Sequence, residues 1–89
     1  MERLRQQLEL WLPEQFPQAE IVLDPARRGQ QIGGILAWKG FVDLEPTDRQ
    51  GLLWRALRAH FNREDQLGIS SIITLTPAKY AVYLEPQMA

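Results

Sequence analysis

The sequence predicts a single small α+β domain in which helices cover one side of a three-stranded sheet. Apolar residues recur at helical spacing near the amino terminus and again after Thr47, which indicates two amphipathic helices. Three short apolar segments contain β-branched residues, and the strongest of them runs from Ile69 to Leu75. Proline and glycine separate these segments, so the element boundaries are sharp. We expect the order α-β-β-α-(α)-β-α, where the bracketed helix is an optional short turn before the last strand.

Length and composition are those of one domain spanning residues 1–89. The chain has 89 residues, 45% of them hydrophobic, and three tryptophans, so one compact core is feasible. A net charge of −1 argues against a broad electrostatic contact with nucleic acid or an anionic membrane. The absence of cysteine excludes disulfides, thiolate metal sites and cysteine nucleophiles. No signal peptide or membrane span is visible, so we expect a soluble cytoplasmic protein.

The amino-terminal half is predicted to form a helix followed by a β-hairpin. Apolar residues one turn apart predict a helix over residues 2–12. These residues are Leu4, Leu8, Trp11 and Leu12. Two strands follow, at residues 19–23 and 32–38, and we expect them to pair with each other. Gly33 and Gly34, early in the second strand, predict a bulge or a close approach of two backbones.

The second half is predicted to contain a capped helix, a strand and another capped helix. Thr47 is placed as the N-cap of the middle helix, with Gln50 three residues later to complete a capping box. In the strand at residues 69–75, apolar residues fall on both parities, so we expect burial on both faces. Thr76 followed by Pro77 predicts the N-cap and the first position of the last helix.

Five arginines are the candidate partner-binding residues. Arg27 and Arg28 lie in the predicted hairpin loop, and loops carry function more often than the elements they connect. Arg55 and Arg58 share one face of the middle helix because they are three residues apart, whereas Arg49 falls on another side. These side chains suit phosphate or an acidic partner. A solvated surface with local ion pairs is the alternative interpretation.

No catalytic constellation is evident, so we do not expect an enzyme. The single histidine, His60, lies near the end of the middle helix, where packing or an interaction with the helix terminus explains it. Trp11, Trp38 and Trp54 stand beside aliphatic residues, which predicts core packing rather than stacking on bases. The sequence points to no set of metal ligands and to no cofactor.

Two stretches of the sequence resemble the BolA-like family. The resemblance is carried by Asp48-Arg49-Gln50 followed by Leu53-Trp54 and Leu57, and by Gly68-Ile69-Ser70-Ser71-Ile72 followed by Thr76-Pro77. It implies a small α/β fold related to KH domains, with the core order α-β-β-α-α-β. It also implies a partnership with monothiol glutaredoxins, in which a histidine of the last strand helps to hold a shared iron–sulfur cluster.

The position that matches this histidine is Ser70. A serine hydroxyl is a poor cluster ligand beside imidazole or thiolate. The hairpin loop at residues 24–28, where the family has its second ligand, offers neither histidine nor cysteine. The resemblance therefore implies a member without the usual cluster ligation, which removes the usual basis for a glutaredoxin partnership.

The function expected from the sequence is a non-catalytic adaptor or regulatory module that binds another protein on a BolA-like scaffold. The alternative is a KH-like nucleic-acid-binding protein that uses the same arginines. KH domains clamp single strands with a Gly-x-x-Gly loop, and no such loop lies between the predicted helices. The near-neutral net charge also argues against this alternative.

Overall fold

The computed structural model describes residues 2–24 and 31–88 and confirms the predicted α+β class and element order. The described elements are helix α1 (Glu2–Gln15), strand β1 (Glu20–Leu23), strand β2 (Ile32–Ala37), helix α2 (Pro46–His60), helix α3 (Arg63–Leu67), strand β3 (Ile69–Leu75) and helix α4 (Pro77–Met88). A 3-10 turn, Lys39–Phe41, lies between β2 and α2. The described residues thus form four α-helices and one mixed sheet of three strands.

The sheet has the strand order β1-β2-β3, with β2 in the centre. β1 pairs with β2 in the antiparallel sense, from Glu20 opposite Ala37 to Leu23 opposite Gly34, so the predicted hairpin is confirmed. β3 pairs with β2 in the parallel sense, because α2 and α3 carry the chain back to the end of the sheet where β2 begins. β1 and β3 are therefore the two edge strands.

Helices α1 and α2 cover one face of the sheet and form the core with it. Their inward side chains are mainly leucines and aromatics spaced three or four residues apart, as predicted. The core residues are Leu4, Leu8, Trp11, Leu12, Phe16, Leu23, Ile32, Leu36, Phe41, Leu53, Leu57, Phe61, Ile69 and Ile72. α1 does not end at residue 12 but runs past Pro13 to Gln15. Its end is held by Phe16, which is buried and donates its N–H to the carbonyl of Leu12 at 2.8 Å.

The start of α2 differs from the prediction. The helix begins at Pro46 with Glu45 as N-cap and without a side-chain capping bond, so the assignment of Thr47 as the cap is wrong. Proline suits the first helical position because its φ is already helical and it has no N–H that needs a partner. Gln50 does not complete a capping box. Its side-chain amide donates to the carbonyl oxygen of Ile72 at 2.8 Å and so fastens α2 to β3.

The two other helix starts in this half follow simple capping rules. Oγ1 of Thr76 accepts a hydrogen bond from the N–H of Lys79 at 3.2 Å, and Pro77 is the first residue of α4, so the predicted cap is confirmed. The short helix α3 is capped by Asn62, whose Oδ1 accepts from the N–H of Asp65 at 2.7 Å. The optional short helix before β3 is therefore present.

A bulge in β3 lies opposite Gly33. Two residues of β3, Ser70 and Ser71, face this single residue of β2. A Cβ at Gly33 would lie 2.8 Å from Oγ of Ser70 and 2.8 Å from the carbonyl oxygen of Ser71, so the predicted close approach is confirmed. The extra residue resets the alternation of side chains, and for this reason Ile69 and Ile72 both point into the core.

Candidate functional site

The sheet face turned away from α1 and α2 exposes apolar side chains. Val22 of β1, Ile35 of β2 and Ile73 of β3 are register partners and form one row across the sheet. Ile35 is buried, but Val22 and Ile73 leave 45% and 48% of their surfaces exposed. The prediction that β3 is buried on both faces is therefore wrong. β3 is an edge strand, and on this side only the central strand is shielded by its neighbours.

Helix α4 adds one aromatic side chain, Tyr83, to this row. Tyr83 lines an open recess of about 300 Å³ together with Ile35 and Ile73. Its side chain is 46% exposed, and its ring stacks on that of Tyr80 with the centroids 6.4 Å apart. Val22, Ile35, Ile73 and Tyr83 are called the outer face below.

Polar groups surround one end of the outer face, beside the bulge. Oγ of Ser70 and Oδ2 of Asp24 lie 2.8 and 3.1 Å from the position that a Cβ of Gly33 would occupy. Both side chains line the same recess as Tyr83. The outer face thus combines an apolar row with hydrogen-bonding groups at its margin. An apolar centre with a polar rim is the usual arrangement of a protein–protein interface.

Of the five candidate arginines, the structure describes Arg49, Arg55 and Arg58. Arg55 and Arg58 are exposed on α2, on the side of the helix that faces away from the core. Because α2 packs on the other face of the sheet, this pair lies on the opposite side of the domain from the outer face. Arg27 and Arg28 lie outside the described residues.

Arg49 is half-buried and has a structural contact. Its Nε donates to the carbonyl oxygens of Phe41 at 3.0 Å and of Leu44 at 2.8 Å. These bonds fasten the segment between β2 and α2 to the first turns of the helix. The structure therefore separates Arg49 from Arg55 and Arg58, as its helical position predicted.

The histidine and the tryptophans pack as predicted. His60 is exposed but stacks on Trp11, with the ring centroids 4.9 Å apart and the planes 14° apart. Its ring also meets that of Phe61 edge-on at 4.8 Å. Trp11 is buried, and Trp38 and Trp54 pack partly buried against the core. Among the side chains that the structure describes, no three histidines, aspartates or glutamates lie close enough together to hold a metal ion.

The sequence did not reveal the outer face. Apolar residues on both parities of a strand predict two buried faces, and this pattern concealed the exposure of Ile73. One usable signal was present in the spacing of Tyr80 and Tyr83. Residues three apart lie on the same side of a helix, so both rings had to project from one side of α4.

In the part of the chain that the structure describes, no helix combines the length and the apolar character needed to cross a membrane. Comparison of the chain with protein-family models, with curated proteins and with solved structures finds no match. The outer face, with its polar margin, is therefore the basis for a functional assignment.

Proposed function

We propose that this chain is a cytoplasmic, non-catalytic adaptor that binds another protein through the outer face. The observation that carries the proposal is the exposure of Val22 on one side of Ile35 and of Ile73 and Tyr83 on the other, each with close to half of its surface in contact with water. Single exposed apolar residues are common, but adjoining ones mark interaction surfaces. The recess between Ile73 and Tyr83 gives a partner side chain a place to enter.

Covering the outer face would contribute substantially to the stability of a complex. Full burial of one large apolar side chain contributes about 1.5–3 kcal/mol. Three side chains that are already half-buried therefore contribute roughly 3 kcal/mol, which corresponds to about a hundredfold in affinity. Ser70 and Asp24 can pair with polar groups of the partner and so fix its orientation.

We also propose that the scaffold is BolA-like. The order α-β-β-α-α-β, followed here by α4, agrees with the core order of that family and supports the proposal. Ser70, which stands where the family has its ligand histidine, lies at the margin of the outer face. We infer that this surface serves protein contact rather than iron–sulfur ligation.

Co-expression with a monothiol glutaredoxin tests the loss of cluster ligation. We expect any complex of the two proteins to lack iron–sulfur absorbance, because a hydroxyl at Ser70 is a poor ligand for iron. The measurement is the visible spectrum of the complex after anaerobic size-exclusion chromatography. The glutaredoxin expressed alone is the control for cluster supply in the same cells. A stable reddish complex would contradict this part of the proposal.

Affinity capture with matched variants tests the outer face. We expect Ile73→Asp to reduce the amount of captured partner about tenfold or more, because a charge at the centre of an apolar contact must be desolvated. Val42→Asp is the control, since Val42 is also an apolar residue, 60% exposed, and does not belong to the outer face. Partners are captured from cells that express the protein, identified by mass spectrometry and quantified for wild type and both variants. Equal capture by all three proteins would refute the proposal.

Nuclease treatment in the same experiment distinguishes the nucleic-acid alternative. A partner held through the outer face stays bound after nuclease digestion. Capture that disappears on digestion, weakens with salt and is lost in the double variant Arg55→Ala, Arg58→Ala would instead identify a KH-like nucleic-acid-binding protein.

A further inference from the structure

The outer edge of β1 presents backbone N–H and C=O groups that form no hydrogen bond with any described residue. The N–H of Asp24 donates to the carbonyl oxygen of Gly33 at 2.8 Å, which makes these two residues a hydrogen-bonded pair of the antiparallel ladder. Such pairs alternate along the strands, so Val22 also turns its N–H and C=O toward β2. Ile21 and Leu23 therefore direct their N–H and C=O groups away from the sheet.

A groove of about 500 Å³ runs along this edge, between β1 and α1. On the β1 side it is lined by the consecutive residues Ile21, Val22 and Leu23. Side chains of consecutive residues in a strand point to opposite faces of the sheet. Three consecutive residues can therefore line one groove only if the groove lies along the edge of the strand. The α1 wall is formed by residues one turn apart, Arg5, Glu9 and Pro13. The groove is thus open to an extended chain lying beside β1.

The other edge strand, β3, is already covered in part. The carbonyl oxygen of Leu75 accepts from the N–H of Trp38 and therefore faces β2. Because carbonyl directions alternate along a strand, the carbonyl of Ile72 points outward. There it accepts a hydrogen bond from the side-chain amide of Gln50 at 2.8 Å. Natural sheets commonly protect their edges in this way. On β1 none of the described side chains bonds Ile21 or Leu23 in this way, and the nearest such bond is at the end of the strand, where Nε of Arg5 donates to the carbonyl oxygen of Asp24 at 3.1 Å.

We propose that the β1 edge binds an extended segment of another protein, which adds to the sheet as a fourth strand and carries basic residues opposite Glu20 and Asp24. Both carboxylate side chains are exposed and stand at the two ends of the apolar centre of β1. Main-chain hydrogen bonds to Ile21 and Leu23 hold the segment. Ion pairs of its basic residues with Glu20 and Asp24 give the specificity for this sequence. This contact is made by the main chain of β1; it shares Val22 and Asp24 with the outer face and its margin but does not include Ile73 or Tyr83.

A second copy of the chain meets like charges at this edge in the register that pairs Ile21 of one strand with Leu23 of the other. Two β1 strands related by a twofold axis run antiparallel. If Ile21 of one strand bonds Leu23 of the other, Glu20 of each strand stands opposite Asp24 of its partner. Like charges directly opposite destabilise a strand pair. A segment with lysine or arginine at both positions replaces the two repulsions of this register by two attractions, and this charge complementarity favours a basic partner segment.

Two synthetic peptides test the proposal on the full chain. The probe is acetyl-Gly-Lys-Val-Thr-Val-Lys-Gly-amide, and its matched control carries glutamate in place of both lysines. We expect the lysine peptide to bind about tenfold more tightly than the control at low salt, and the difference to narrow as salt is added. In amide NMR spectra, hydrogen exchange at Ile21 and Leu23 should slow about tenfold at saturation. Unchanged exchange at millimolar peptide, or equal binding of both peptides, would overturn the proposal.

A charge-reversal variant locates the contact. We expect Glu20→Lys to weaken binding of the lysine peptide about fivefold, because one attraction becomes a repulsion. Glu14→Lys makes the same change of net charge on α1, outside the groove, and should leave binding within about twofold of wild type. The Ile73→Asp variant should bind the lysine peptide as tightly as wild type does. Failure of the outer-face proposal can therefore be distinguished from failure of this one. Equal weakening by the Glu20 and Glu14 variants would show that only net charge matters and would overturn the proposal.

Discussion

We expect Gly34→Ala to lower the free energy of unfolding by about 3 kcal/mol. Gly34 lies in the central strand opposite Leu23. A Cβ at this position would overlap the carbonyl oxygen of Val22 and lie 2.9 Å from Cα of Leu23. All of these atoms belong to the backbone of β1, so no side chain can rotate to make room. The hairpin must separate or lose hydrogen bonds to accept a single methyl group.

Gly51→Ala is the matched control, because it adds the same methyl group to a glycine with open space around it. Apart from the neighbouring backbone of its own helix, no heavy atom lies within 4 Å of a Cβ placed at Gly51, which is exposed in α2. We expect this variant to gain about 0.5–1 kcal/mol, since alanine loses less backbone entropy than glycine in a helix. Urea unfolding followed by circular dichroism measures both changes. Destabilisation of similar size in both variants would contradict the close packing of β1 against β2.

We expect Phe41→Ala to lower the free energy of unfolding by about 3–5 kcal/mol. Phe41 is fully buried in the short turn between β2 and α2. Its ring centroid lies 5.9 Å from that of Phe16 and 5.3 Å from that of Trp38, so truncation empties the centre of an aromatic cluster. Its carbonyl oxygen also accepts from Arg49, a contact that the substitution leaves in place.

Val42→Ala is the control for Phe41→Ala, because it truncates the neighbouring residue, whose side chain is exposed. We expect a change of less than about 0.5 kcal/mol. A domain of this length has about 4–13 kcal/mol of stability in total, so Phe41→Ala can leave too little folded protein to measure. In that case Phe41→Leu, with an expected loss of about 1–2 kcal/mol, replaces it. Equal effects at both positions would show that the turn does not contribute to the core.

Much of the fold could be predicted because its signals are local. The leucine spacing of α1 and α2 identifies their inward faces without knowledge of the sheet. Thr76 with Pro77 specifies a helix start within four residues, and the structure contains it. Gly33 and Gly34 indicated a close backbone approach, and the structure contains one at each position.

The wrong predictions arose where tertiary contacts compete with local ones. Thr47 and Gln50 have the spacing of a capping box, but Pro46 starts the helix earlier and Gln50 bonds the edge of β3. No local sequence pattern shows that a carbonyl at the edge of β3 needs a hydrogen-bond donor from α2. Phe41 has no periodic neighbours in its turn, so its burial could not be inferred from the sequence.

The candidate site was predictable only in part. Arg55 and Arg58 do share an exposed face of α2, as their spacing required. The outer face depends on strand order. Ile73 is exposed because β3 is an edge strand. Strand order is a long-range property, and the pattern of apolar residues in one strand does not contain it.

Photocrosslinking in cells tests most directly whether the outer face binds a partner protein. Tyr83 is replaced by p-benzoylphenylalanine, which keeps an aromatic ring at the recess, and in a second protein Val42 is replaced by the same residue. On irradiation, we expect the chain labelled at position 83 to form a covalent adduct with another protein, and the chain labelled at position 42 to form none. No protein adduct from position 83, or the same adducts from both positions, would contradict the assignment of the outer face as the binding surface.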